Sequence, residues 1–211
     1  MDELSEAFRC FLFPLLGLVA LFTLWNDRVQ AQKRKSILER QAAKRGGEFI
    51  QGGWFDWPKV RFACQGEDVD IFMTPRNRYH PAQTRAQFEP QNILLSECRL
   101  VDDRLPQDRI TLPRMERMMT QDEAFDARYT LWVGPDRLMA FRLAQTPIRE
   151  QLLACDLPLL EIEVRPAVFE MSMRRIPLDE ADLDNFIETA LLVIRLLIFE
   201  SVRKPQPALD G

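Results

Sequence analysis

An uncharged apolar run near the N-terminus constrains this chain more than any other feature of its sequence. It extends from Cys10 to Trp25 with the letters CFLFPLLGLVALFTLW, and an α-helix of that length is about 24 Å long. Phe8 lengthens the run towards the ~30 Å hydrocarbon core of a bilayer, and Arg9 can snorkel. We therefore expect residues 10–25 to form a transmembrane helix whose partner is the lipid bilayer.

The charges on either side of this run predict its orientation. Residues 1–9 are net acidic, whereas basic residues follow Trp25 closely: Arg28, Lys33, Arg34 and Lys35. Because basic groups stay on the cytoplasmic side, we expect a single-pass protein of the inner (cytoplasmic) membrane, N-out/C-in, with residues 1–9 as a short extracytoplasmic N-terminus. Two alternatives remain open, a cleaved signal peptide and a helix buried in a core. The acidic N-terminus argues against the first of them.

Residues 26–45 contain many helix-forming residues and neither Gly nor Pro. Apart from its alanines, the apolar residues of this segment are Val29, Ile37 and Leu38, which are too sparse for a packed stripe. We expect a solvated basic helical stalk that ends at Gly46-Gly47.

Residues 46–203 predict one α+β domain on the cytoplasmic side, followed by a disordered tail at 204–211. Alternating polar and apolar residues indicate strands at 48–50, 59–64, 68–73, 84–89, 92–101, 129–133, 160–164 and 168–173. This order favours a mostly antiparallel sheet packed against two short helices and a long C-terminal helix. A further short helix is expected around 114–119.

The two short helices follow turn signals. Gly134-Pro135 precedes a helix with Leu138, Phe141 and Ala144 on one side, and Thr146-Pro147 begins a helix whose apolar side holds Ile148 and Leu152.

The C-terminal helix has the clearest helical pattern. Asp179 is its expected N-cap, and apolar residues recur at spacings of three and four from Leu183 to Ile198. A second apolar face consists of Leu192, Val193, Leu196 and Phe199. We expect the helix to pack centrally on the sheet, with this second face as a membrane or partner contact.

Two loops are further candidates for a membrane or partner contact. The turn that begins at Gly52 contains Trp54, Phe55 and Trp57, and a second loop contains Arg76, Arg78 and Tyr79. Exposed aromatic residues suit an interface, and the basic loop suits an anionic group. The alternative for the aromatic turn is that it packs over the core. The alternative for the basic loop is that it is an ordinary solvated loop.

The residues that carry chemistry are sparse. His80 is the single histidine, the four cysteines are scattered, and no Gly-rich phosphate-binding motif occurs. Two pairs of carboxylates lie two residues apart on one strand face: Asp68 with Asp70, and Glu161 with Glu163. Such a pair suits a cation or acid–base chemistry, but a solvated strand face gives the same pattern. The net charge of −4 argues against nucleic acid as a partner. We expect no catalytic residue, cofactor or metal, and hence no enzyme.

A series of segments then resembles a known group of proteins. These segments are Phe125–Val133, Ala140–Leu143, Thr146–Leu153, Glu161–Val164 and Phe169–Met173. Their order over about residues 55–175 resembles that of uncharacterised bacterial membrane-associated α+β domains. The resemblance implies a bacterial origin and membrane association, and it implies no catalytic residue.

Together these patterns predict a membrane-anchored, non-enzymatic interaction or assembly module that binds a protein partner or a second copy of itself. The alternative is a domain that binds a lipid or small apolar ligand in a cleft between the sheet and the C-terminal helix.

Overall fold

The computed structural model describes residues 2–53, 56–76, 81–90, 95–105, 114–155, 157–177 and 179–202, with side chains described from residue 15 to residue 197 of these ranges. A single helix, α1 (Asp2–Arg45), includes both the apolar run and the segment expected as a stalk. From Ile37 onwards α1 packs against the domain, and Leu38, Gln41 and Ala42 are buried. Residues 37–45 of the expected stalk therefore contribute to the core, whereas most of residues 26–36 are exposed.

The predicted transmembrane helix is wrong. No helix in the described part of the chain combines the length and the hydropathy needed to cross a membrane. The side chains of residues 10–14 lie outside the described residues. The uncharged run from Cys10 to Trp25 rises about 24 Å as a helix, short of the ~30 Å core, and the charged residues Asp27 and Arg28 follow it closely. The predictions of a single-pass topology, of a membrane protein and of an N-out/C-in inner-membrane location depend on this helix and are therefore wrong as well.

The domain is α+β and is built on an antiparallel sheet of nine strands. Their order across the sheet is β1-β2-β3-β4-β9-β8-β5-β7-β6. The strands are β1 (Glu48–Ile50), β2 (Lys59–Cys64), β3 (Glu67–Thr74), β4 (Gln83–Phe88), β5 (Cys98–Asp102), β6 (Glu116–Met118), β7 (Tyr129–Val133), β8 (Leu160–Arg165) and β9 (Val168–Met173). The predicted β2–β3 hairpin is confirmed. Its Gln65-Gly66 turn has positive φ at both residues, as a two-residue type I′ turn requires.

Helices cover one face of this sheet and leave the other open. Besides α1 they are α2 (Glu123–Asp126), α3 (Leu138–Leu143), α4 (Thr146–Ala154) and α5 (Glu180–Val202). The alternate strand residues that face them form the core, with Phe88, Tyr129 and Phe169 among its largest side chains. Arg142 of α3 donates to the carbonyl oxygen of Leu197, which ties α3 to α5.

Helix α5 fills its interface with the sheet. Asp179 caps its first turn by accepting from the backbone N–H of Asp182 at 2.8 Å, as predicted. Seven residues are 0–2% exposed: Leu183, Phe186, Ile187, Ala190, Val193, Ile194 and Leu197. A cavity of about 20 Å³ beside Asp182 and Asn185 has room for roughly one water. The expected ligand cleft between sheet and α5 is therefore replaced by close packing among these described residues.

Two local predictions are corrected. The helix expected around 114–119 is the short edge strand β6, which pairs with β7. Helix α3 has the opposite phase to the predicted one, because Met139, Ala140 and Leu143 are buried whereas Leu138 and Phe141 are 48% and 58% exposed.

Candidate functional site

The exposed apolar part of α1 is the most unusual surface of the molecule. Eight large side chains are between 53% and 70% exposed; we call them the apolar strip: Leu15, Leu16, Leu18, Val19, Leu21, Phe22, Leu24 and Trp25. They point in all directions around the helix. A helix that is apolar all round is normally covered on every side, whereas this one is exposed on every side.

An open groove begins at the C-terminal end of the apolar strip. We call it the α1 groove; its volume is about 920 Å³. One wall is α1 itself, from Leu21 to Arg34. The opposite wall comes from the ends of the β3–β4 connection, with Pro75, Arg76 and Ala82, and from Ile176 between β9 and α5. Residues distant in the sequence therefore meet beside the exposed helix.

The α1 wall changes from apolar to basic along its length. Leu21, Leu24, Arg28, Ala31 and Arg34 all line the groove, and their spacings of three and four place them on one helix face. The rise from Leu21 to Arg28 is about 10 Å. One face of α1 thus presents an apolar end and a guanidinium end to the same cavity.

The groove's arginines differ from the basic residues nearer the C-terminal end of α1. Lys35, Arg40, Lys44 and Arg45 have carboxylate partners, among them Asp184 at 2.8 Å from Arg45. Among the described residues, no carboxylate lies within ion-pair distance of Arg28, Arg34 or Arg76. Burial lowers the pKa of Arg34, and Asp27, the one carboxylate that lines the groove, only partly offsets this.

The open face of the sheet is a second candidate surface, and its charges compensate one another. A row of polar and aromatic side chains crosses all nine strands: Glu48, Arg61, Asp70, Gln87, Glu170, Glu163, Arg99, Trp132 and Arg117. Asp70 accepts from Arg61 Nε at 2.8 Å and from Lys59 Nζ at 2.5 Å. Burial opposes ionisation of Asp70, but these two donors outweigh it and lower the pKa of its carboxyl.

A groove of about 930 Å³ lies on this face, with Trp57, 48% exposed, on its rim. Its central cations, Lys59 and Arg61, already bind Asp70. Partly exposed pairs of this kind contribute little to stability, about 0–1 kcal/mol each. They also leave fewer free charges for a ligand than the α1 groove offers.

The fold has a solved counterpart. The chain is similar to the crystal structure of the mycobacterial trehalose monomycolate transport factor A, with a TM-score of 0.53 and 13% identity over 79% of this chain and 94% of that one. At this identity the likeness establishes the fold alone. No protein-family model matches the sequence, and no curated protein matches it.

The predicted contact residues that the structure describes lie on different surfaces. Arg76 lines the α1 groove and Trp57 lines the sheet-face groove. On α5, Val193 is fully buried and Leu192 and Leu196 are half-buried. Trp54, Phe55, Arg78 and Tyr79, like His80, the tail 204–211 and the side chain of Phe199, lie outside the described residues.

Two buried cysteines are held in the thiol form. Burial raises the pKa of the Cys98 thiol and, with Arg195 partly opposing, that of Cys64, so both favour the unreactive protonated form. Among the described residues no group of three or more His, Cys, Asp or Glu side chains is placed to hold a metal ion.

Sequence reasoning missed Arg28, Arg34 and Ile176 as members of one site. The spacing of Leu21, Leu24, Arg28 and Arg34 was the available signal, because it places them on one helix face. Nothing local in the sequence indicates that Pro75, Arg76 and Ile176 face it.

Proposed function

We propose that this protein is a non-enzymatic interaction module that binds an apolar partner on the apolar strip of α1, in a lipid-related process. The observation that carries the proposal is the exposure of this strip, at 53–70% for each of eight large side chains. Soluble proteins rarely leave contiguous apolar surface of this kind uncovered unless it is an interaction site.

The energetics favour such a partner. Covering a Leu or Phe side chain fully contributes roughly 1.5–3 kcal/mol, and the strip offers several of them on adjacent turns. The domain does not supply the cover, since its own contacts with α1 involve Ile37, Leu38 and Ala42 further along the helix.

Three kinds of observation support the remaining parts of the proposal. The fold resembles that of a protein named as a trehalose monomycolate transport factor, which favours a lipid-related role. The buried thiols and the lack of a metal-binding cluster among the described residues favour binding over catalysis. The acidic net charge favours a partner other than nucleic acid.

A pair of matched double variants tests the proposal. Leu21→Ser with Phe22→Ser changes the strip, and Leu138→Ser with Phe141→Ser changes the exposed apolar residues of α3, which are 48% and 58% exposed. Full-length chains are purified identically, and co-purifying lipid and retention on an apolar resin are measured. We expect both quantities to fall several-fold in the α1 variant alone. Equal values for wild type and both variants would refute the strip as the binding surface.

Self-association is a second candidate, because a second copy's strip is itself an apolar partner. The buried Val193 makes α1 rather than α5 the surface for it. Light scattering across a hundredfold range of protein concentration distinguishes the two. A dimer that Leu21→Ser with Phe22→Ser dissociates favours self-association, and a monomer with bound lipid favours the first candidate.

A further inference from the structure

We infer that the α1 groove is a binding site for a single anionic lipid molecule, with its acyl chain on the apolar end and its acidic head group on Arg28, Arg34 and Arg76. This inference rests on the proposed function and names the chemical class of the apolar partner. Three independent features of the groove support it.

The first feature is the gradient of polarity along one helix face. Leu21, Leu24 and Trp25 form the apolar end, and Arg28 and Arg34 form the basic end. The apolar strip extends the apolar end to Leu15, about 15 Å from Trp25 along the helix. An amphiphile has the same division into a chain and a head over a comparable length.

The second feature is uncompensated positive charge. The three arginines that line the groove face a single carboxylate, that of Asp27, and among the described residues none of them has an ion-pair partner. Arg34 is half-buried, so its charge is also partly removed from water. A guanidinium in this setting is stabilised most by a carboxylate or phosphate, which it can bind through two parallel hydrogen bonds.

The basic residues in the last turns of α1 differ from the groove's arginines, because they have carboxylate partners. Arg45, at the end of the same helix, binds both Asp184 at 2.8 Å and Glu188 at 3.0 Å. Arg40 lies 3.7 Å from Glu180. The chain supplies acidic partners where α1 crosses α5 and leaves the groove end of α1 without them.

The third feature is the composition of the opposite wall. Arg76 lies there with Pro75, Ala82 and Ile176, so both walls present apolar surface as well as guanidinium. A free phosphate would satisfy the arginines but would leave the apolar surface exposed to water. A lipid satisfies both, and it fits a volume of about 920 Å³.

The test compares two lysolipids with the same acyl chain and different charge. Lysophosphatidylglycerol is anionic and lysophosphatidylcholine is zwitterionic; each is titrated below its critical micelle concentration into the full-length chain by calorimetry. We expect the anionic lysolipid to bind about tenfold more tightly, the change expected from a charge-assisted hydrogen bond. Inorganic phosphate alone is titrated as a third ligand and is expected to bind far more weakly.

Charge-matched variants locate the effect. Arg34→Gln removes a charge from the groove, and Lys33→Gln removes one from an exposed position of the same helix that does not line it. We expect Arg34→Gln to reduce the preference for the anionic lysolipid, and the triple variant with Arg28→Gln and Arg76→Gln to abolish it. Lys33→Gln should keep it. Arg34→Gln should also keep the urea midpoint, because it removes a half-buried charge that lacks an ion-pair partner.

The outcomes separate this inference from the proposed function. Equal binding of both lysolipids, weakened by Leu21→Ser with Phe22→Ser, overturns the anionic-lipid site and leaves the apolar partner in place. If neither lysolipid binds, the lipid site is overturned as well. The co-purifying lipid and the retention on apolar resin of the α1 and α3 double variants then decide the proposed function. Phosphate binding as tight as that of the lysolipid overturns the inference in favour of a free-anion site.

Discussion

Gly52 shows how strongly a single residue can constrain a loop of this protein. A Cβ atom at this position would lie 2.1 Å from the carbonyl oxygen of Asp56 and 2.6 Å from the carbonyl carbon of Trp57. Both contacts are to backbone, which cannot move aside as the end of a side chain can. The loop therefore closes on Gly52, and this closure holds Trp57 at the rim of the sheet-face groove.

Gly52→Ala should destabilise the fold by about 1–3 kcal/mol, as overpacking does. Gly53→Ala is the matched control, because a Cβ at Gly53 meets nothing within 4 Å; we expect a change within ~0.5 kcal/mol. Urea denaturation measures both. Equal midpoints for the two variants would show that the loop does not close on Gly52 as described.

Asp102 is a buried carboxylate whose charge contributes to stability. Its side chain is 0% exposed and accepts from the backbone N–H of Arg104 at 2.9 Å and from the Arg104 guanidinium at 2.7 Å. Burial alone would raise the pKa of Asp102, but these donors and the nearby charge of Arg128 lower it. The folded pKa thus lies below the unfolded one, so the stabilisation is present above about pH 4 and is lost as the pH falls.

Asp102→Asn should cost about 1–3 kcal/mol at pH 7, because it weakens buried charge-assisted hydrogen bonds. It should also reduce the slope of unfolding free energy against pH below about pH 4. Asp68→Asn, at a carboxylate that is 61% exposed, is the control and should change neither quantity appreciably. An unchanged acid slope in Asp102→Asn would contradict the assigned pKa direction.

At the scale of elements, α1 has two parts with different roles. Its last turns belong to the core, where Leu38 is 2% exposed and Lys44 and Arg45 bind Asp184 of α5. These donors outweigh the burial of Asp184 and lower the pKa of its carboxyl. The apolar strip, in contrast, lies beyond the domain's packing.

Two leucines of the same helix test this division. Leu38→Ala should cost about 2–5 kcal/mol, since it leaves a cavity in the core. Leu24→Ala, at a side chain that is 64% exposed, should change stability by less than ~0.5 kcal/mol. Similar losses for both, measured by urea denaturation, would mean that the strip is already covered by the chain itself.

The sequence predicts those elements whose signals are local. The positive-φ turn at Gln65-Gly66 and the Asp179 cap follow from residue type and spacing. Helix α3 is only six residues long, too short for its periodicity to fix which side is buried. The sparse apolar residues of 37–45 predict a solvated stalk. The packing of this segment instead depends on acidic groups of α5 about 140 positions away, which no local pattern indicates.

At the scale of the whole molecule, the sheet separates two surfaces of different character. Its open face is covered by mutually paired charges such as Arg61–Asp70. The edge of its helical face, where α1 leaves the domain, exposes apolar surface and arginines that have no ion-pair partner among the described residues. The apolar run of α1 is visible in the sequence, but its interpretation there as a membrane span is wrong. The second wall of the groove could not be predicted, because only the fold brings Arg76 and Ile176 to it.

The fluorescence of Trp25 tests the binding surface most directly. A full-length chain that keeps Trp25 as its only tryptophan, with Trp54, Trp57 and Trp132 replaced by Phe, reports on a side chain that is 69% exposed. We expect its emission maximum to be that of solvated indole and to shift to shorter wavelength as lysophosphatidylglycerol is added below its critical micelle concentration. The matched chain that keeps only Trp57, 48% exposed on the sheet face, should show no shift. An unchanged Trp25 spectrum, or an equal shift at Trp57, would contradict binding at α1.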